Sequence, residues 1–407
     1  MPAPPLERRL IILGSTGSIG VQTLEVVRHL NDLHARGQHP VRWRVVGLAA
    51  GSNEALAHEQ ARAFDVPRVA LATGSHAQDG KPARGYDLRI GPDEARRLVA
   101  EVECDLVMAA IVGSAGLSAT LEAVRRGRDV ALANKETLVA AGGLVVPEAQ
   151  RTGAKLLPVD SEHSALWQCL RSDPGAESGP GSPCPPMRAS PSVARVILTA
   201  SGGAFRDERW TKDLLESATV EQALKHPTWT MGRKVTIDSA SLANKALEII
   251  EAGWLFGLEP ARIGVVVHPQ SIVHSLVEYR DGNTLAQCAP PDMRTPILHA
   301  MCFPDRPAGL GAPLPRIGTW EFREPDLERF PLLKMGWRVL ERADTTLGAI
   351  FNAANEAAVE TFLAGKVTFG AIPRLVERAV ADVPPTPLRS LDDVARAERA
   401  ARASVMG

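Results

Sequence analysis

Cysteine is scarce in this chain and never paired in sequence. Five residues in 407, Cys104, Cys169, Cys184, Cys288 and Cys302, are scattered with no C-x-x-C spacing. An odd, dispersed set in a long chain argues against a disulfide framework and for a reducing compartment, and it offers no thiolate metal site. Charge excess is also missing: 46 Lys and Arg face 47 Asp and Glu, a formal net charge of −1. A nucleic-acid partner would require a basic face. A local basic pocket for a small phosphate remains compatible with this balance. No uninterrupted apolar stretch approaches the roughly 20 residues of a membrane span. The Pro-rich start reaches Arg8-Arg9 before any apolar run, without the apolar segment of a signal peptide. A soluble cytoplasmic protein is expected. Hydrophobic residues at 45% and charged residues at 23% are ordinary for a globular chain. The length calls for two or three domains.

The first motif is Leu10-Ile11-Ile12-Leu13, a compact run that reads as a buried parallel strand. It enters Gly14-Ser15-Thr16-Gly17-Ser18-Ile19-Gly20 and then a helical pattern through Val21, Leu24, Val27 and Leu30. Strand, glycine turn and helix in this order suit a dinucleotide pyrophosphate, which sits on free N–H groups at the helix start. The spacing is G-x-x-G-x-x-G rather than the stricter G-x-G-x-x-G. A second strand, Trp43 to Leu48, leads to Gly51-Ser52-Asn53, where NAD enzymes place a carboxylate against the ribose. No carboxylate occurs before Glu54, which favours NADP. Strands follow at Val69 to Ala72, Cys104 to Gly113 and Asp129 to Ala133, the last ending in Asn134-Lys135-Glu136. Alternating strands and helices imply a doubly wound parallel sheet of the α/β class, with ligands at the carboxyl ends of its strands.

At that edge also lies Asp160-Ser161-Glu162-His163, behind the apolar run Lys155 to Val159. Carboxylates at i and i+2 leave an extended strand on one side and suit Mg²⁺ or Mn²⁺. A plainer reading makes Asp160 a helix cap and places Glu162 in the first turn. Residues 171–192 are rich in Pro, Gly and Ser and read as a surface loop, with Cys184 an exposed thiol. Val193 to Leu198 resumes as a strand ending in Ser201-Gly202-Gly203, a weak anion-nest signal. His226-Pro227-Thr228-Trp229-Thr230-Met231-Gly232-Arg233 combines large side chains with Pro and Gly, as a closing lid would. Alternation from Lys234 through Ile237 suggests a strand. The helix after it would carry Ser241, Asn244, Lys245 and Glu248 on one face. His268 and His274 accompany two further strands, and Asp281-Gly282-Asn283 is a hairpin turn, which indicates a separate α+β domain. Beyond the Pro-rich stretch Pro304 to Pro315 the pattern is helical: Leu332 to Ala343, Thr346 to Ala364, Pro373 to Ala381, and Ser390 to Val405.

These motifs occur together and in order: GSTGSIG at 14–20, NKE at 134–136, VDSEHSA at 159–165, HPTWTMGRK at 226–234, DSASLANKALE at 238–248, HPQSIVHS at 268–275, PDMRTPI at 291–297 and NAANEAAV at 352–359. As a set they resemble the 1-deoxy-D-xylulose 5-phosphate reductoisomerase family, from about Arg9 to the last helix. The resemblance implies a Rossmann-like NADPH-binding domain at 1–159, a catalytic and dimerisation α+β domain at 160–303, a linker at 304–318 and a C-terminal helical domain at 319–407. It implies a homodimer and a divalent metal, Mg²⁺, Mn²⁺ or Co²⁺, held by Asp160, Glu162 and Glu248. Ser201, Ser239, Asn244, Lys245 and His226 would surround a sugar phosphate. Lys135 and Ser161 would meet its polar end, with Trp229 and Met231 on the lid. Thr16, Gly17, Ser18, Ile19, Gly51, Ser52, Asn53, Asn134, Glu136 and Gly232 would line the NADPH site. The family often carries Lys where this chain has Ser52, and loop 171–192 is longer than its core needs. A dehydrogenase acting without rearrangement and a dinucleotide-sensing regulator are the competing readings, and both leave the three carboxylates idle.

Overall fold

The run Leu10 to Leu13 is wholly buried at the end of the first strand, β1 (Leu6–Leu13), in a computed structural model that describes residues 6–74, 85–172, 184–314 and 318–407. The chain continues through α1 (Ser18–Ala35), β2 (Val41–Ala50), α2 (Glu54–Ala63), β3 (Arg68–Leu71), β4 (Asp87–Ile90), α3 (Glu94–Glu101), β5 (Leu106–Ala109), α4 (Leu117–Arg125), β6 (Asp129–Leu132), α5 (Glu136–Thr152), β7 (Leu156–Pro158) and α6 (Ser161–Leu170). Next come β8 (Val193–Ala200), α7 (Lys212–Glu216), α8 (Val220–Ala223), α9 (Arg233–Ala240), α10 (Ala243–Phe256), β9 (Ile263–Val267), β10 (Val273–Tyr279), β11 (Thr284–Cys288) and α11 (Arg294–Cys302). Four helices close the chain: α12 (Leu333–Leu340), α13 (Leu347–Leu363), α14 (Ala371–Asp382) and α15 (Leu391–Met406).

Two compact units result. The first comprises Met1–Asn134, Glu148–Ser164 and Asp292–Ala312; the second comprises Lys135–Pro147, Ala165–Pro291 and Pro313–Gly407. The first unit holds a seven-stranded sheet in the order β4-β3-β2-β1-β5-β6-β7, parallel throughout. The order reverses between β1 and β5, which sets a switch point at their carboxyl ends. Strands covered on both faces can be apolar without alternation, as Leu10 to Leu13 of β1 and all of β5 are. The strand expected over Cys104 to Gly113 stops at Ala109. Beyond it the chain turns through Gly113, at φ +71°, and the Asn134 side chain bonds the carbonyls of Ile111 and Gly113. The half-buried edge strand β4 was not legible in the sequence.

In the second unit the sheet order is β11-β10-β8-β9, with β10 antiparallel to β8 and β11, and β9 parallel to β8. The hairpin turn is formed as expected, with Tyr279 N–H donating to the Asn283 carbonyl at 2.8 Å. Two expectations are overturned in this unit. Residues 233–240 are the helix α9, not a strand, and Thr236, Ile237, Asp238, Ser239 and Ala240 are all buried. The β-branched alternation there yields to tertiary burial. Leu242, at φ +57°, breaks the path between α9 and α10. Residues 184–192 are not a free surface loop. The N–H groups of Met187 and Ala189 donate to the carbonyls of Leu255 and Phe256, both at 2.9 Å, and Cys184 is 6% exposed. The remaining part of that loop, 173–183, lies outside the described residues. The C-terminal helices fall where the pattern put them, and the Ser390 side chain caps α15 by accepting from Asp393 N–H. Among the described residues no helix is long and apolar enough to cross a membrane.

Candidate active site

In the first unit the glycine turn is fixed by backbone. The N–H groups of Gly14 and Ser15 both donate to the Ala49 carbonyl, at 2.8 and 2.9 Å. Gly14 has φ +86°, and a Cβ there would run into the Ala110 carbonyl. A side chain at Gly20 would strike the backbone of Gly14 and Ser15. Thr16 and Ile19 are partly exposed and Gly17 and Ser18 exposed at the start of α1. Gly17 brings no side-chain acceptor to the first-turn N–H groups of α1, which leaves a helix start suited to phosphate. Gly51, Ser52 and Asn53 are exposed at the end of β2, and Asn53 Oδ1 accepts from Leu56 N–H at 3.2 Å to cap α2. Asn134 is 3% exposed and binds the turn after β5.

Asp160 and Glu162 do not share an extended strand. Asp160 directly precedes α6, its carbonyl accepting from Ser164 N–H at 2.8 Å, and Glu162 lies in the first helical turn. The plainer placement is therefore the observed one, and the positive end of α6 favours both carboxylates. Asp160 Oδ2 stands 3.9 Å from His163 Nδ1, and Ser161 Oγ donates to Glu162 Oε2 at 2.5 Å.

In the second unit the central feature is Glu248, whose side chain is 1% exposed. Lys135 Nζ donates to it at 2.8 Å and to Asn244 Oδ1 at 3.0 Å. Asn244 Nδ2 and Lys245 Nζ also donate to the Glu248 carboxylate. Lys245 and Glu248 form an i,i+3 pair in the interior of the unit. A carboxylate this deep requires cationic compensation, and two lysines supply it here.

The loop after β8 stands against the end of α9: a Cβ on Gly203 would come within 2.5 Å of the Ser239 carbonyl. Gly202 and Gly203 have φ of +81° and +63°, a turn open to glycine at little cost. Ser201 Oγ lies 2.9 Å from His226 Nε2. His226 Nδ1 accepts from the N–H groups of Thr228 and Trp229, at 3.1 and 2.8 Å. The proton must then reside on Nε2, which donates to Ser201. Burial, with the Arg206 charge adding, pushes the His226 pKa down to about 4. Trp229, Met231 and Gly232 lie in the irregular stretch between α8 and α9. Glu136 is 5% exposed and paired with Lys234, so it is no solvated helix turn. His268 and His274 are buried and bonded to the carbonyls of Glu321 and Ala289, as structural histidines are. Sequence reasoning missed Arg206 and Lys234; the latter stood in the quoted HPTWTMGRK motif without an assigned partner.

A doubly wound sheet with a glycine turn at its switch point, joined to a unit with a buried lysine–glutamate cluster, defines a dinucleotide-dependent enzyme. The profile of 1-deoxy-D-xylulose 5-phosphate reductoisomerase matches residues 10–142, that of its C-terminal domain 156–256, and that of the DXP reductoisomerase C-terminal domain 288–404. The reductoisomerase of Gloeobacter violaceus is 46% identical over 98% of this chain and 96% of its own. That of Pelotomaculum thermopropionicum is 45% identical over 97% of each. Among solved structures, the Zymomonas mobilis reductoisomerase in complex with NADPH is 37% identical, covers 98% of each chain and has a TM-score of 0.83. A DOX-P reductoisomerase in complex with NADPH, fosmidomycin and magnesium is 33% identical, covers 98% of this chain and 97% of its own, and has a TM-score of 0.84. The chain belongs to the 1-deoxy-D-xylulose 5-phosphate reductoisomerase family.

Proposed function

We propose that the protein converts 1-deoxy-D-xylulose 5-phosphate to 2-C-methyl-D-erythritol 4-phosphate by NADPH- and divalent-metal-dependent rearrangement and reduction, a step of isoprenoid precursor synthesis outside the mevalonate route. The observation that carries this reading is the buried Glu248 with Lys135, Asn244 and Lys245 around it. A dehydrogenase acting without rearrangement has no use for such a cluster, nor for the carboxylates Asp160 and Glu162.

Asp160, Glu162 and Glu248 hold the metal, and three hard carboxylates suit Mg²⁺, Mn²⁺ or Co²⁺. The fit is supported by the donor chemistry: Asp160 and Glu162 at the start of α6 and the buried Glu248 offer the hard carboxylate oxygens these ions take. When bound, the metal polarises a substrate carbonyl and stabilises oxyanion charge, and NADPH provides hydride. Lys135 and Ser161 orient the polar end of the substrate. Ser201, Ser239, Asn244 and Lys245 form the phosphate socket. His226, neutral at pH 7 with its proton on Nε2, donates to the phosphate or to Ser201 without adding charge. Remote binding at the phosphate then positions the reacting carbons. The 226–232 segment, carrying Trp229 and Met231, closes over the ligand and excludes water. Thr16, Gly17, Ser18, Ile19, Gly51, Ser52, Asn53, Asn134, Glu136 and Gly232 receive the dinucleotide. The enzyme works in the cytoplasm as a homodimer, which sedimentation of the purified protein checks.

The deciding experiment mixes protein, NADPH, Mn²⁺ and deoxyxylulose phosphate and follows nicotinamide absorbance with and without chelator. Consumption that chelator stops is the expected result. No consumption, or consumption indifferent to chelator, overturns the reading.

A further inference from the structure

The carboxylate that the cofactor turn lacks occurs one residue later, and it is held back. β2 ends at Ala50, and Gly51-Ser52-Asn53 leads into α2, whose first residue is Glu54. In doubly wound dinucleotide sites an acidic residue near this point bonds the ribose 2′-hydroxyl and opposes a 2′-phosphate. Glu54 is the acidic side chain nearest the turn in sequence. Its Oε1 lies 3.0 Å from Nε2 of His58, one turn along the same helix. His58 Nδ1 is bonded in turn to the Tyr86 hydroxyl. The Glu54 and His58 side chains are 18% and 11% exposed, and Tyr86 is 7% exposed.

The direction of this relay is fixed by donor inventory. An ionised carboxylate only accepts, so His58 Nε2 carries the proton. In the neutral ring Nδ1 is then an acceptor, and the Tyr86 hydroxyl donates to it. The other carboxylate oxygen, Oε2, lies 3.6 Å from where a Cβ on Gly74 would sit, just beyond β3. Gln60, also on α2, donates to the Ser15 carbonyl at 2.9 Å and fastens the helix to the glycine turn. The helix is thus anchored beside the cofactor turn while its first carboxylate is drawn along α2. Ser52 contributes no positive charge, so discrimination at this subsite depends on where the negative charge is kept.

We propose that His58, oriented by Tyr86, is a positioning residue for cofactor choice. It retains the Glu54 carboxylate along α2 and so leaves the adenosine ribose subsite open to the 2′-phosphate of NADPH. The inference rests on the NADPH-dependent reading above.

The test compares wild type, His58→Leu, and His58→Leu with Glu54→Gln, measuring KM and kcat with NADPH and with NADH. His58→Leu should raise KM for NADPH about tenfold, the scale of one charge interaction at a partly solvated site. KM for NADH and kcat should stay within about twofold, and the double variant should recover NADPH to within about twofold. Equal losses for both cofactors, no loss for either, or failure of Glu54→Gln to restore NADPH would overturn the proposal, because a merely structural triad moves both cofactors together. A wild type inert toward substrate overturns the reaction assigned above instead. In that case the ratio of the NADPH and NADH dissociation constants, from nicotinamide fluorescence, decides this inference separately.

Discussion

Lys234 Nζ stands 2.8 Å from Glu136 and 2.9 Å from Asp238, and the two carboxylate side chains are only 7% and 1% exposed. Asp238 also accepts from Asn355 Nδ2 of α13 at 2.8 Å. On that helix Asn352 bonds Glu356 at 3.0 Å, and Glu356 pairs with Arg402 of α15. The first residue of α5, the first turn of α9 and the C-terminal helices are therefore bound through polar groups. Because α9 starts immediately after the 226–232 segment, this anchor fixes one end of that segment.

Lys234→Met should cost about 3–5 kcal/mol, since it leaves two buried carboxylates without their cation. Burial alone would lower the lysine pKa, but Asp238 and Glu136 outweigh it and hold the pKa above its ordinary value of 10.5. Burial would likewise raise the Glu136 carboxyl, and Lys234 overrides it to keep the pKa below 4.5. The glutamate contribution to stability is present above pH 4.5 and lost as pH falls through its folded pKa; the lysine contribution is present below pH 10.5 and lost as pH rises through its folded pKa. Between those limits the pair adds a flat term. In Lys234→Met the acid limb should reverse, because protonation relieves the orphaned carboxylates. Thermal melting from pH 2.5 to 8 checks both signs.

His226 gives a second pH signature. Its pKa falls from 6.5 unfolded to about 4 folded, so the unfolded chain binds the extra proton first. Its contribution to stability is complete above pH 6.5 and declines as pH drops toward about 4. Activity between pH 6 and 8 should show no inflection from this ring. Nitrogen-15 spectra at pH 7 should show a neutral imidazole with its proton on Nε2. His226→Asn should raise KM for the phosphorylated substrate more than it lowers kcat, and the Trp229 emission should change because two backbone donors lose their acceptor.

Much of the first unit was legible because its strands are short apolar runs between glycine turns, a pattern with one architectural solution. Lys234 to Ile237 was misread for a physical reason: four residues of alternation fit a strand or one turn of a buried helix equally well, and only packing separates them. The Asp160 and Glu162 pair was legible as chemistry but not as geometry, since a helix start and a strand end both bring i and i+2 groups near a ligand edge. Glu54, His58 and Tyr86 were not legible together. Tyr86 lies 28 residues from His58, and its neighbouring strand β4 carries only four residues of weak alternation.

Glu248→Gln keeps the shape and the hydrogen-bonding oxygen but removes the charge. Turnover should fall by on the order of 10³-fold or more, the scale of deleting one electrostatic stabiliser of a transition state. NADPH affinity should stay within about twofold, since no cofactor contact is assigned to this residue. Lys135 and Lys245 would then face a neutral amide in the interior, so a loss of about 3 kcal/mol or more in stability should accompany the change. Denaturant unfolding beside NADPH titration separates the two effects. A parallel collapse of NADPH binding would mean that Glu248 supports the fold rather than the chemistry.

Ser52→Lys should tighten NADPH selectively. Ser52 is exposed in the turn before α2, so a lysine there meets no packing obstacle. Its charge lies near the positive end of a helix, which costs about 0.3–1 kcal/mol. Against that, an ammonium beside a 2′-phosphate would gain more than it loses, because the phosphate carries nearly two charges and the proposed site puts it at this turn. The expected result is a three- to tenfold fall in KM for NADPH, of the order of 1 kcal/mol, with KM for NADH unchanged. The gain should shrink between 50 and 500 mM salt as the Debye length drops toward roughly 4 Å. A gain that ignores salt, or that NADH shares, would place Ser52 away from the 2′-phosphate.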